Sequence, residues 1–226
     1  MQQTWIQRQN HPHCLLFFAG WGMDATPFAG IAANTADFCL IHDYRELASL
    51  DLAPFAAYEQ VHLLAWSMGV WVAAHLLAAQ QHAFTTRTAI GGTLSPIDGQ
   101  RGIPPQSYNA MLADFGPQIL EDFYRNMFDD DHQLARFLAH RPQRDIEALR
   151  QEMEAFRTAS QACGPAIDIY THKIITSRDR IFSGRNQLRA WGKGQGQVCN
   201  WPHFPFYLLA DWRDLLVMPI GSADDA

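Results

Sequence analysis

The chain alternates between short, almost wholly apolar runs and longer segments in which apolar residues recur at helical spacing. Six apolar runs occur, at residues 13–19, 37–43, 61–66, 86–92, 173–177 and 197–201. Strands that are apolar on both faces are typical of a parallel sheet covered by helices. We therefore predict that these six runs are the strands of one mostly parallel sheet.

Helical patterning follows several of these runs. It predicts helices at residues 27–34, 69–81, 184–191 and 205–216. Pro27 and Pro205 stand where proline commonly opens a helix. The alternation of strand and helix predicts an α/β fold of the α/β-hydrolase kind, with a doubly wound sheet.

One stretch interrupts this alternation. Residues 95–164 show helical patterning with no strand signal, and prolines divide them into about four helices. We expect these residues to form a helical lid inserted into a core domain made of residues 1–94 and 165–226. The small, acidic tail at 221–226 is expected to fray.

The segment AWSMG, residues 65–69, lies between the third apolar run and a helical run. This is the strand–turn–helix context of a nucleophile elbow, whose usual pattern is Gly-x-Ser-x-Gly. Ala65 replaces the first glycine with the next smallest residue, and Gly69 keeps the second. Ser67 is therefore a candidate catalytic nucleophile. The alternative is that Ser67 only caps the helix.

A serine nucleophile needs a base and a carboxylate that orients the base. Asp179 follows the fifth apolar run and His203 follows the sixth, which gives the order Ser, acid, His of α/β-hydrolases. Asp168 is the alternative acid, but it precedes the fifth run and would lie at the wrong end of the sheet. We predict a triad of Ser67, Asp179 and His203.

An oxyanion hole needs two backbone N–H groups. Met68, directly after the nucleophile, is expected to supply one, and Trp21, between Gly20 and Gly22 after the first run, the other. The alternative is that the two glycines only make a tight turn. Aromatic side chains near the site are candidates to contact substrate, although core packing is their ordinary role; these are Trp21, Trp66 and Phe128.

Composition narrows the function classes. A net charge of −6 at pH 7 argues against a nucleic-acid-binding surface over the whole molecule. The four cysteines have no Cys-x-x-Cys spacing, which favours free thiols in a reducing compartment. No stretch reaches the ~18 apolar residues of a membrane span, and no signal-peptide pattern occurs. We expect a cytoplasmic protein that does not associate with a membrane and uses no metal or cofactor.

Four segments together carry a family resemblance: LLFFAGWGMD, HDYREL, LLAWSMGVWVA and AIGGTLSPIDGQRGIP. They resemble the BioG-type pimeloyl-acyl-carrier-protein methyl ester esterases, over most of the chain. The resemblance implies hydrolysis of the methyl ester of a pimeloyl group on acyl carrier protein, ahead of biotin ring assembly. It implies the triad and the oxyanion residues already named, and acyl carrier protein as the partner.

Carrier protein is strongly acidic, as the resemblance implies, and this chain is itself negative, so docking would need a local basic patch. The lid contains arginines at spacings that would place them in pairs on helical faces, namely Arg141 with Arg144 and Arg150 with Arg157. The alternative is local ion pairing with the acidic residues of the lid, which are Asp145, Glu147, Glu152 and Glu154.

Two other functions stay open from the residues alone. A thioesterase or acyltransferase could use the same triad on another acyl substrate, and would release a thiol or transfer the acyl group. A non-catalytic binding module could keep the same fold without reaction. The sequence leaves the oligomeric state open, and a monomer is the simplest expectation.

Overall fold

The computed structural model describes residues 1–31 and 33–215. Seven strands form one sheet in the order β1-β3-β2-β4-β5-β6-β7. All six predicted runs are strands, with ends within two residues of the prediction. The strands are β1 (Gln2–Gln7), β2 (His13–Phe18), β3 (Ala36–His42), β4 (Gln60–Trp66), β5 (Thr86–Ile90), β6 (His172–Thr176) and β7 (Gln197–Cys199).

The seventh strand, β1, has no counterpart in the sequence prediction. It pairs antiparallel with β3, whereas every other pair in the sheet is parallel. Because β1 lies at the edge and its residues are exposed or half-buried, its sequence QQTWIQ has no apolar run that would mark it.

Six α-helices accompany the described part of the sheet. Four of them lie between β5 and β6, in the inserted segment 95–164, which is called the lid from here on, and α6 has the predicted bounds. The helices are α1 (Met68–Leu77), α2 (Pro105–Ala113), α3 (Pro117–Asn126), α4 (Asp131–Ala139), α5 (Ile146–Cys163) and α6 (Gly184–Trp191).

Two predicted helices are wrong. Of the predicted helix at 27–34, the described residues 27–31 and 33–34 contain only the end of a 3₁₀ turn at Thr26–Phe28. Residues 205–215 contain two such turns, at Phe206–Leu208 and Trp212–Leu215. The predicted end at residue 216 and the expected fraying of the tail lie outside the described residues. The rings of Phe28, Phe206 and Trp212 are all buried in one cluster, so packing rather than helical propensity sets these segments.

Alternating residues of the strands fill two cores, one on each face of the sheet. Leu16 and Phe18 of β2 face a core that includes α1 and part of α5. Leu15 and Phe17 face the other core, which holds the aromatic cluster of the C-terminal segments. This period of two is what a strand buried on both faces produces.

The cysteines are all free, with Cys14, Cys39 and Cys199 buried and Cys163 exposed. Within residues 1–31 and 33–215, no helix combines the length and the apolar character needed to cross a bilayer.

We predict that Gly69→Ala destabilises the fold and that Gly99→Ala does not. A Cβ at Gly69 would stand 2.3 Å from the carbonyl oxygen of Phe18 and 2.5 Å from that of Ala19, whereas a Cβ at Gly99 meets nothing within 4 Å. Backbone atoms cannot rotate away, so we expect a loss of about 2–3 kcal/mol for Gly69→Ala. Urea unfolding of both variants measures this, and equal midpoints for the two would contradict the prediction.

Candidate active site

Ser67 occupies a sharp turn between β4 and α1. Its backbone has φ 58° and ψ −126°, a left-handed conformation that a residue with a side chain rarely adopts. Its N–H donates to the carbonyl oxygen of Ile90 at 3.0 Å, and its own carbonyl oxygen accepts from the N–H of Val70 at 3.1 Å. Such strain costs on the order of 1–3 kcal/mol and is common at active sites. The turn therefore has the geometry of a nucleophile elbow.

Glycines let the neighbouring backbone approach this turn. A Cβ at Gly92 would stand 2.2 Å from the carbonyl oxygen of Ser67, and one at Gly20 would stand 3.1 Å from the Cβ of Ser67. Gly91 has φ +53° and lies beside Asp179. The sequence analysis missed the importance of Gly91 and Gly92, although a glycine pair directly after a strand was a usable signal.

Asp179 and His203 form a buried pair at the same edge of the sheet as Ser67. Nδ1 of His203 lies 2.7 Å from Oδ2 of Asp179, and both side chains are fully buried. The carbonyl oxygen of His203 accepts a hydrogen bond of 2.8 Å from the indole nitrogen of Trp66. Strands β4, β5, β6 and β7 are neighbours and parallel, so the loops after them converge on one edge.

The carboxylate of Asp179 is saturated with hydrogen bonds. Its Oδ1 accepts from the N–H groups of Ile181 and Phe182, each at 2.8 Å. Its Oδ2 also accepts from Thr176 Oγ1 at 2.8 Å and from Gln187 Nε2 at 3.2 Å. The sequence analysis missed Thr176 and Gln187, because neither belongs to a motif.

Asp168, the alternative acid, lies at the other end of β6. It pairs with Lys173 at 2.7 Å and accepts from the N–H of Tyr170 at 2.9 Å. Neither of these two interactions involves a histidine. The geometry therefore favours Asp179 as the partner of His203.

The second ring nitrogen of His203, Nε2, is buried and has no hydrogen-bond partner within the described chain. Because Nδ1 is bound to Asp179, Nε2 is the nitrogen available to act as a base toward Ser67. No hydrogen bond joins Nε2 to the hydroxyl of Ser67 here. In enzymes without substrate such bonds are often long, and they tighten in the complex with substrate.

The two residues expected to supply the oxyanion donors both line the cavity beside Ser67. Met68 is the first residue of α1, where N–H groups have no intrahelical partner. Trp21 lies after β2 and lines the cavity together with Ser67 and Met68. The indole nitrogen of Trp21 donates to the carbonyl oxygen of Leu149 at 2.9 Å, which ties the side chain of Trp21 to α5.

The cavity has a volume of about 360 Å³ and is largely apolar. Small-molecule sites usually span ~300–1,000 Å³. The lid provides much of the lining, through Tyr108, Met111, Phe123 and Met153. An acyl chain attached to an ester at Ser67 would therefore contact the lid.

Two of the three residues predicted to contact substrate do not line the cavity. Trp66 is 1% exposed and packs against Phe204 and Phe206 beneath His203. Phe128 is 3% exposed and packs on Phe204 as well. Neither side chain is among the residues that line the cavity, whereas Trp21 is.

The predicted arginine pairs also need correction. Arg141 and Arg144 lie between α4 and α5 and do not share a helical face. The side chain of Arg144 is only 8% exposed and forms ion pairs with Asp43 and Glu152, so it is not a surface cation. Arg150 and Arg157 are both on α5, as expected. Arg150, however, is paired with two glutamates, Glu147 and Glu154.

In the part of the chain that the structure describes, no group of three or more His, Cys, Asp or Glu side chains is arranged to hold a metal ion.

One family model matches nearly the whole chain. Residues 1–214 match the model described as "Pimeloyl-ACP methyl esterase BioG". The chain belongs to the BioG family. The crystal structure of BioG from Haemophilus influenzae superposes with a TM-score of 0.85 at 28% identity, covering 95% of this chain and 99% of that one.

Two relatives are named for reactions of carrier-protein-bound acyl groups. The malonyl-[acyl-carrier protein] O-methyltransferase of Bacteroides fragilis (strain 638R) is 37% identical over 179 residues. That match covers 79% of this chain and 36% of the relative, so the chain spans about a third of the relative's length. The pimeloyl-[acyl-carrier protein] methyl ester esterase of Aeromonas hydrophila is 30% identical over 174 residues, 64% of this chain and 68% of that protein.

More distant structures share the fold. The enol-lactonase of Burkholderia xenovorans LB400 superposes with a TM-score of 0.62 at 13% identity, covering 89% of this chain and 88% of the other. The chain therefore has an α/β-hydrolase fold, as the order of its strands and helices predicts.

We predict that Asp179→Asn lowers esterase turnover severely, by about 10⁴-fold in a comparable triad, because asparagine would hold the imidazole in the wrong tautomer. Asp168→Asn serves as the matched control at the other end of β6. Turnover of a small soluble ester by both variants is the measurement. Loss of turnover in Asp168→Asn alone would contradict the assignment.

Proposed function

We propose that the protein is a serine esterase that hydrolyses the methyl ester of pimeloyl-acyl carrier protein and releases pimeloyl-acyl carrier protein. The observation that carries this proposal is one geometry: a strained Ser67 and a buried Asp179–His203 pair at one sheet edge, beside an apolar cavity under a lid. Family membership and the name of the Aeromonas hydrophila relative support the substrate.

In the proposed mechanism, the hydroxyl oxygen of Ser67 attacks the ester carbonyl carbon while Nε2 of His203 takes the hydroxyl proton. The negative oxygen of the tetrahedral intermediate accepts hydrogen bonds from the N–H groups of Trp21 and Met68. His203 then gives its proton to the departing methoxy group, and methanol leaves. Water repeats the sequence on the acyl-enzyme, which frees the carboxylate and restores Ser67.

Asp179 supports each of these proton transfers. Its hydrogen bond of 2.7 Å to Nδ1 of His203 holds the neutral imidazole in the tautomer with its proton on Nδ1, and it stabilises the imidazolium that forms. The bonds from Thr176 and Gln187 hold the carboxylate in place. The imidazole is thereby oriented before substrate arrives.

The lid cavity suits the methylene part of a pimeloyl group. Met111, Phe123 and Met153 offer apolar contact, and methionine adapts to irregular chains. Burial of each methylene contributes about 0.8 kcal/mol. Chain length would thus be selected by how much of the acyl group fills the cavity.

We propose that acyl carrier protein docks on the lid through two arginines that retain free charge, the exposed Arg141 and the half-buried Arg157. Arg141 is 53% exposed and lies 3.8 Å from Glu121, a loose pair, and Arg157 binds the neutral Asn109. Arg150 is the weaker candidate because Glu147 and Glu154 neutralise it, and Arg144 is excluded by burial. We further propose that the protein works in the cytoplasm, where its free thiols stay reduced.

We predict that the purified protein converts pimeloyl-carrier-protein methyl ester to the free acid with release of methanol, and that Ser67→Ala loses this activity by about 10⁴- to 10⁶-fold while staying folded. Mass spectrometry of the carrier protein and a methanol assay are the measurements. Release of a free carrier thiol instead of methanol would indicate a thioesterase, and no reaction with either group would indicate a binding module.

We predict that Arg141→Ala/Arg157→Ala raises KM for the carrier-bound ester several-fold and leaves a small soluble ester unaffected, because only the former needs docking. Added salt should likewise raise the KM of the wild type for the carrier-bound ester. Arg8→Ala is the control: Arg8 is exposed and follows β1, whose end pairs with the start of β3, away from the site. Equal effects on both esters would refute the docking role.

A further inference from the structure

The loop that carries the proposed oxyanion donor, residues 19–22, is held from the lid side. The N–H of Gly22 donates to Oε2 of Glu152 at 3.3 Å, and the indole nitrogen of Trp21 donates to the carbonyl oxygen of Leu149 at 2.9 Å. Glu152 and Leu149 are both on α5, about one turn apart. The lid helix therefore binds both the side chain of Trp21 and the backbone of the next residue.

Glu152 also reaches the opposite end of this loop. Its Oε1 accepts from the N–H of Tyr44 at 2.7 Å, and the hydroxyl of Tyr44 donates to the carbonyl oxygen of Ala19 at 2.7 Å. One carboxylate thus fixes Gly22 directly and Ala19 through a single intervening residue.

The carboxylate of Glu152 is costly to bury. It is 1% exposed, and burial raises its pKa, a shift that the guanidinium of Arg144 opposes. Arg144 is held in turn by Asp43, at 3.0 Å. A buried ion pair of this kind adds little net stability compared with apolar packing. An apolar residue here would, however, leave the N–H groups of Gly22 and Tyr44 without a partner.

We propose that Glu152 is a positioning residue for the oxyanion hole: by binding the backbone N–H groups of Gly22 and Tyr44, it aims the N–H of Trp21 at the tetrahedral intermediate. The inference rests on the proposed serine-esterase mechanism. Because Glu152 belongs to α5 of the lid, the oxyanion hole is complete only when α5 is packed against the core. The lid then contributes to the rate of the chemical step as well as to the binding of the acyl chain.

The test is Glu152→Gln, which keeps the side chain's size but replaces one of two acceptor oxygens with an NH₂ donor. Glu154→Gln is the matched control, two residues along α5 and exposed. We expect Glu152→Gln to lower kcat on a small soluble ester by about 10-fold, part of the 10²–10³ that loss of a donor costs. We expect KM to stay within about two-fold of the wild-type value, because the substitution does not change how the ester binds before it reacts.

A second readout separates positioning from general stability. A trifluoromethyl ketone forms a tetrahedral, negatively charged adduct with a catalytic serine, so its affinity should fall by the same factor as kcat. Tyr44→Phe removes the bonds from the hydroxyl to the carbonyl oxygens of Ala19 and Ile41 and keeps the bond from the N–H to Glu152. It should show a smaller fall of the same kind, and it replaces Glu152→Gln in the test if that variant does not fold.

The inference is overturned if Glu152→Gln, or Tyr44→Phe in its place, matches the wild type in kcat, or if kcat falls while the affinity for the trifluoromethyl ketone does not. It is also overturned if Glu154→Gln loses as much. An inactive wild type, or a fully active Ser67→Ala, would instead refute the proposed function on which the inference rests.

Discussion

The backbone at Ser67 is the constraint around which the rest of the site is built. A serine at φ 58° is strained, and it is held there by hydrogen bonds to Ile90 and Val70 on either side of the turn. Side chains larger than hydrogen at Gly69 or Gly92 would collide with backbone carbonyl oxygens. In the proposed mechanism, this one local distortion provides both the nucleophile, Ser67, and an oxyanion donor, the N–H of Met68.

Two buried carboxylates orient the other parts of the site, which are the imidazole and the loop after β2. Asp179 directs the imidazole of His203, and Glu152 holds the loop that carries Trp21. Each is saturated by donors from the backbone and from neighbouring side chains, which is the condition under which a buried charge is tolerated. In the proposed reaction, Asp179 assists the proton transfer, and Glu152 assists stabilisation of the developing negative charge.

Aromatic packing decides the shape of the opposite face. Phe28, Phe204, Phe206 and Trp212 close over the sheet beneath His203, and Trp66 binds the carbonyl oxygen of His203. Two predicted helices are replaced there by 3₁₀ turns because ring contacts determine the path of the chain. The likeness to BioG from Haemophilus influenzae covers nearly the whole of both chains, so the relation concerns the complete fold, lid included.

The sequence by itself determined the six parallel strands, the four lid helices and the order Ser67, Asp179, His203, because apolar runs and strand-end positions are local or topological signals. Only the tertiary structure decided which lid arginine is buried, that Trp66 and Phe128 face the core, and that Glu152 meets Gly22, 130 residues away in the chain. Spacing along a helix reports which residues share a face. It carries no information about which distant backbone group that face will meet, since that depends on how the packed elements fit together.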